Sequence, residues 1–250
     1  MIEHEIATKT VSPNAFFWMV IDALSNSRRL SCVRMADGEK AIWNQAIRQK
    51  RSDPLQTPFK DIPDWAKTYG VDSITAEEIM HRLSYAATFC THFAPSVSGL
   101  RHEAYNLYDI WKSRTFYIDN FFVDQWSDDQ KTELFKTAGH VLFIHRNANT
   151  ADSMQIRVQA NLGVKVHFIK LDNWRECSEV AEKALVNTAP LVLFSGGPAG
   201  KYLAPDIMRR SALPKVVIDL GHGADKFTFS HLPMDRKAAE AFHAEWSKRQ

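Results

Sequence analysis

The sequence has few cysteines and none in a ligand-like pair. Cys32, Cys90 and Cys177 are far apart, and no Cys-x-x-Cys occurs. This excludes a zinc ribbon or a disulfide framework and leaves reduced thiols as the expectation. His81, His92 and His102 show no zinc-ligand spacing either. A long hydrophobic run is also missing. The most apolar stretch, Ala15 to Leu24, is too short to span a bilayer and contains Asp22. The amino terminus, Met1-Ile2-Glu3-His4-Glu5, is polar and acidic, unlike a secretion signal, so no membrane insertion and a cytoplasmic location are expected. Neither sign of charge dominates. A formal net charge of +2 neither demands nor excludes a polyanionic partner. No internal repeat, low-complexity tract or interdomain linker is visible. The 250 residues suit a single α/β domain with room for an embellishment.

What is present is an alternation of short apolar runs and helical patterns. Ser12-Pro13 reads as a helix start, Ser at the N-cap and Pro in the first turn, followed by Phe17, Val20, Ile21 and Leu24 on one face. Thr75-Ala76-Glu77-Glu78 fits a capping box opening a helix to about Phe89. In the second half, strands are expected at 141–144, 164–169, 191–194 and 216–219, each followed by a helix or a polar turn. The expected fold class is therefore α/β and Rossmann-like, a mostly parallel sheet with helices on both faces. The first half is less regular. Pro54, Pro58 and Pro63 mark 52–72 as a long surface loop, Pro95 and Gly99 break the pattern after His92, and 50–112 as a whole reads as an insertion or lid. A last helix is expected over about 235–248.

Three segments carry chemistry. The run Leu30 to Ala36 reads as a buried strand ending in the turn Asp37-Gly38, with a helix beginning at Glu39. Asp37 and Glu39 then stand at the carboxyl end of a strand, where open α/β sheets bind ligands. Two carboxylates beside Arg34 can hold a hard divalent cation, which in turn holds phosphate oxygens, and Gly38 keeps the approach clear. The ordinary alternative is a solvated Asp-Gly turn. The second segment, Ser195-Gly196-Gly197-Pro198-Ala199-Gly200-Lys201, is a glycine-rich loop suited to an anion, though its spacing is not that of a P-loop. The third, Asp219-Leu220-Gly221-His222, ends the next strand and places Asp219 and His222 on the same rim. Two further strand ends are polar. His145-Arg146 offers an Arg that can meet a diphosphate, and Asp119-Asn120 reads most simply as a turn.

Arg34-Met35-Ala36-Asp37-Gly38-Glu39 resembles the Arg-x-x-Asp-Gly-Glu signature of the GT-D-type glycosyltransferases. Gly197-Pro198, Leu203-Ala204-Pro205-Asp206 and Ile218-Asp219-Leu220-Gly221-His222 are similar to that family's carboxyl-terminal pattern. One departure is Ala36, where the family often has Gly. The resemblance implies one transferase domain over the chain and a nucleotide-sugar donor, a UDP-sugar first. It implies Mn²⁺ or Mg²⁺ held by Asp37 and Glu39, and Arg34 on a phosphate or orienting the carboxylates. Asp219 or His222 would orient the sugar or serve as base. The acceptor it implies is either a glycan or protein, as in bacterial members, or a hydroxymethylated DNA base, as in bacteriophage relatives, with Arg48, Lys50, Arg51, Arg209 and Arg210 as phosphate contacts and the host cytoplasm as location. The rival readings are a nucleotide hydrolase or phosphotransferase on the same carboxylates, and a non-catalytic nucleotide-binding module.

Overall fold

Eight short strands form one sheet in the order β1-β4-β3-β2-β8-β7-β5-β6 in a computed structural model of the chain. The structure describes residues 9–52, 64–67, 71–95, 116–146, 148–227, 229–234, 237 and 240. The strands are β1 (Thr10–Val11), β2 (Leu30–Met35), β3 (His92–Pro95), β4 (Phe116–Ile118), β5 (His140–His145), β6 (Lys165–Lys170), β7 (Leu191–Phe194) and β8 (Val216–Asp219). Every pairing is parallel. A parallel sheet needs cover on both faces, and β2, β7 and β8 are buried at every position, with Ser31, Arg34 and Asp219 the polar residues among otherwise apolar ones.

Two hydrophobic layers supply that cover. On one face lie the helices Asp37–Ser52, Ala76–Phe89, Cys177–Val186 and Leu203–Arg210, packing Ile42, Trp43, Ile79, Leu83, Val180 and Ile207 against Val33, Val192 and Val217. On the other lie Pro13–Ser25, Asp128–Ala138 and Ala148–Leu162, packing Phe16, Phe17, Leu134, Phe135, Met154 and Val158 against Cys32, Phe143 and Ile218. The helix starts follow from local chemistry. Ser12 Oγ accepts the Ala15 N–H at 3.1 Å, ahead of Pro13. Thr75 Oγ accepts the Glu78 N–H at 3.1 Å. Ser127 and Gln130 exchange the two bonds of a capping box. All three cysteines are buried and none is in a disulfide; burial in particular pushes the Cys177 thiol up to about 11.

Three expectations change. The pattern break after His92 is in fact β3, inserted between β2 and β4; Pro95 is tolerated because it ends the strand. Together with the Ala76–Phe89 helix, it makes part of 50–112 integral to the sheet and its cover. The rest of that stretch is the helix Asp64–Lys67, the 3₁₀ turn Val71–Ser73 and positions outside the described residues. The Asp37-Gly38 turn is absorbed into the helix, which begins at Asp37 because Glu39 Oε2 reaches back to the Ala36 N–H at 2.8 Å. The expected last helix lies almost wholly outside the described residues. Among the described residues, no helix is long and apolar enough to cross a membrane.

His92 gives the sheet a pH dependence. Its ring sits between Phe16 and Phe116, at 5.0 and 5.7 Å between centroids, and its Nδ1 meets Thr91 Oγ1 at 2.9 Å. Burial lowers its pKa to about 4. The unfolded chain therefore binds the proton more readily, so stability is complete above pH about 6.5 and falls as pH drops toward 4. Between pH 6.5 and 5 the wild type should lose about 1.5 kcal/mol through this group. Urea unfolding of His92→Phe should show a correspondingly flatter profile, and equal slopes would remove His92 as the cause.

Candidate functional site

The carboxyl ends of β2 and β8 meet at a point where the chain leaves in opposite directions. From β2 it enters the Asp37–Ser52 helix, on the layer of Ile42 and Trp43. From β8 it enters the 3₁₀ turn Gly221–Phe227, on the layer of Ala224 and Phe227. Diverging connections between neighbouring parallel strands open a crevice at their carboxyl ends, the usual ligand position in such sheets.

Four charged side chains fill the base of this crevice. Asp219 is fully buried at the end of β8. Its Oδ2 accepts the Arg34 backbone N–H at 3.1 Å and Lys201 Nζ at 2.7 Å, and its Oδ1 accepts the Gly221 N–H at 3.0 Å. Lys201, only 3% exposed, also lies 3.5 Å from Glu39 Oε1. Burial alone would push the Lys201 ammonium down, but the carboxylates of Asp219 and Glu39 outweigh it and the net direction is up. The lysine is thus held charged. Two cations, Arg34 and Lys201, face two anions, Glu39 and Asp219, in a region where an unpaired charge is very costly.

Arg34 is held from three sides. Its Nη1 donates to the Leu220 carbonyl and its Nη2 to Asn120 Oδ1 at 2.9 Å, while Nε has no hydrogen-bond partner among the described residues. Gly221, at φ +49°, lies directly on the guanidinium; a Cβ there would come within 3.1 Å of Nη1. Only glycine suits both the backbone angle and the close approach. Asn120 is itself buried, and its Nδ2 donates to the carbonyls of Met35 at 3.2 Å and Ala94 at 2.8 Å. It therefore ties the ends of β2 and β3 to Arg34. In sequence Asn120 is a polar residue after a strand, indistinguishable from an ordinary turn. The only available signal was its position directly past the apolar run 116–118.

The structure brings together Arg34, Glu39, Lys201 and Asp219, from three distant segments. Gly38 is in the first turn of the helix beside Glu39. The side chains of Asp37 and His222 lie outside the described residues, although both backbones stand on this rim, Asp37 opening its helix and His222 within the turn after β8. The glycine loop forms a different shape from the open cradle expected. Ser195 donates its N–H to Ile144, and the one-turn helix Gly197–Gly200 follows at once. A Cβ on Gly196 would lie 3.2 Å from the Gly200 Cα and from Leu171 Cδ2, so that position is small for packing. The loop's lysine points down to Asp219 instead of out to a ligand. His145 and Arg146 end β5, three strands from β2 and so roughly 14 Å along the rim. His145 is buried with its ring stacked on Phe143, and Arg146 is exposed.

A divalent cation fits the donor chemistry at Glu39. A carboxylate has about four lone-pair sites, and the described contacts of Glu39 are one N–H and one ammonium. Among the described residues no group of three or more His, Cys, Asp or Glu gathers. The chain would therefore offer one or two carboxylates, an arrangement that suits Mg²⁺ or Mn²⁺ when phosphate oxygens complete the shell. A family model described as a GT-D fold-like domain matches residues 11–227. No curated protein and no solved structure matches the chain.

The buried pair makes a stability prediction. Lys201→Met strands Asp219 without its cation and should cost about 3–5 kcal/mol. Adding Asp219→Asn, which removes the unpaired charge and keeps one acceptor oxygen for one of the Arg34 and Gly221 N–H groups, should recover part of that loss. Denaturant unfolding of the single and double variants measures the coupling, and additive effects would show that the two groups are energetically independent.

Proposed function

The chain belongs to the GT-D-like family, and from that premise we propose that it moves a sugar from a nucleotide-sugar, a UDP-sugar first, to an acceptor hydroxyl. The observation that carries the proposal is the placement of Glu39. It is an acidic side chain at the carboxyl end of β2, held by Lys201 and by its own helix cap, at the crevice where β2 and β8 part. The donor diphosphate is expected over the first turn of the Asp37–Ser52 helix, with Asp37 and Glu39 holding the cation. When bound, Mn²⁺ or Mg²⁺ supplies charge neutralisation to the departing diphosphate.

The remaining roles follow from burial. Asp219, with three donors and no exposure, positions Arg34, Lys201 and the Gly221 turn. Contact with the acceptor is then left to His222, the neighbouring residue on that turn, as base on the hydroxyl. Arg34 orients the crevice through Leu220 and Asn120. Lys201 holds Glu39 in place through their ion pair and does not itself reach the donor. Arg146, on the exposed rim at β5, suits the far end of an extended nucleotide-sugar.

A saccharide acceptor, free or protein-linked, is favoured over DNA by what the basic residues already do. Arg210 is paired with Asp206 at 3.0 Å and also with Glu182. Arg209 lies 4.3 Å from the Phe89 ring centroid. Lys50 is 3.9 Å from Glu77. Each of these three side chains would have to give up a contact within the fold before neutralising a phosphate, which reduces the gain from doing so.

Asp37→Asn and Glu39→Gln should each reduce sugar transfer on the order of 10²–10³ while the protein still melts cooperatively. Calorimetry with UDP should show binding in Mn²⁺ and its loss in EDTA. Near wild-type transfer by both variants, or equal UDP affinity with and without the metal, would overturn the metal role. Donor hydrolysis that no acceptor accelerates would favour the hydrolase reading, and binding without turnover the non-catalytic one.

A further inference from the structure

Outside the crevice, on the layer that covers β2 and β7, a cavity of about 270 Å³ lies between the Ala76–Phe89 and Leu203–Arg210 helices. Glu78, His81, Arg82, Tyr85, Tyr202 and Asp206 line it. It abuts the turn that closes the ionic cluster. Lys201 runs inward from this turn to Asp219, while its neighbour Tyr202 faces the cavity. Arg82 Nη1 donates to the Ala199 carbonyl on the same turn at 3.3 Å.

The walls are held in place before any ligand arrives. The Arg82 guanidinium stands 4.8 Å from the Tyr202 ring centroid and 5.0 Å from that of Trp174, and its Nε donates to Glu78 at 2.6 Å. Trp174 is in turn tied by its indole N–H to Ser73 Oγ at 2.7 Å. Such prior ordering lowers the entropy lost on binding.

The chemistry of the lining selects the ligand. Each carboxylate already has a cation, Glu78 with Arg82 and Asp206 with Arg210, so the cavity presents hydrogen-bonding oxygens without unbalanced charge. A carboxylate so paired keeps lone pairs for hydroxyl donors. A phosphate would meet two acidic groups and cations that are already engaged. An aliphatic ligand would cover the carboxylates without bonding them, which is costly. The rings of Tyr85, Tyr202 and His81 offer flat surfaces for C–H faces. The volume falls below the roughly 300–1,000 Å³ of drug-sized sites, about right for one ring.

We propose that this cavity is a saccharide subsite that holds one neutral sugar ring of the acceptor. Its assignment to the acceptor rests on the transferase reading, whereas its affinity for a sugar does not. The test is ligand-observed NMR on the full chain, without donor or metal, using methyl glycosides of glucose, galactose, mannose, N-acetylglucosamine and rhamnose. At least one should bind in the millimolar range, and Tyr85→Ala and Asp206→Asn should each weaken it about tenfold or more. Tyr85→Leu, which removes the ring and keeps apolar bulk, serves if the alanine variant does not fold. Failure of every glycoside to bind, or binding untouched by these substitutions, overturns the sugar site. So does an oligonucleotide that binds and loses affinity in Tyr85→Ala. UDP with Mn²⁺ is titrated on the same preparation. Sugar binding without UDP binding removes the UDP-sugar donor and leaves the site; UDP binding without sugar binding removes the site alone.

Discussion

The lysine buried between Asp219 and Glu39 is the constraint on which the rest of the crevice depends. Taking an ammonium and a carboxylate out of water costs several kcal/mol for each, and only close pairing with full hydrogen bonding offsets it. Lys201 meets that demand with a 2.7 Å contact, and Asp219 with two backbone N–H groups besides. Those contacts join β2, β8, the turn after β8 and the turn after β7. Displacing any one of them leaves a charge without its partner. The crevice therefore has one low-energy arrangement, and Glu39 is placed as a consequence.

Arg34 and Asn120 extend the same logic toward the other half of the sheet. The guanidinium spans from the Leu220 carbonyl to Asn120, and Asn120 spans from there to the ends of β2 and β3. Carbonyls at the end of a parallel strand have no further ladder partner, so a buried side-chain amide satisfies them. Glycine at 221 follows from this packing, since the guanidinium occupies the space a side chain would need. A cavity with paired carboxylates and fixed aromatic rings lies beyond the Lys201 turn, so the turn separates a densely ionic side from a neutral, polar one.

Much of the architecture could be read directly from the chain. The second half alternates apolar runs of four to six residues with helices, and a fully buried parallel strand has that pattern because both of its faces are covered. The caps at Ser12 and Thr75 were readable because a cap is a contact over three residues. β3 was not readable. It is four residues long, has a proline at its end and begins with a histidine, so neither alternation nor an apolar run marks it. Its identity as a strand comes from lying between β2 and β4.

The sequence by itself determined the α/β class, the placement of Asp37, Glu39 and Asp219 at strand ends, and the glycine loop as a special turn. All of these are short-range patterns, expressed within one strand-turn-helix unit. Only the tertiary structure decided that the lysine of that loop turns inward to Asp219, that Asn120 braces Arg34, and that Glu39 shares a cation with a residue 180 positions away. Such roles depend on which strands become neighbours. That order is set by how two hydrophobic layers close over the whole sheet, a property no local window contains.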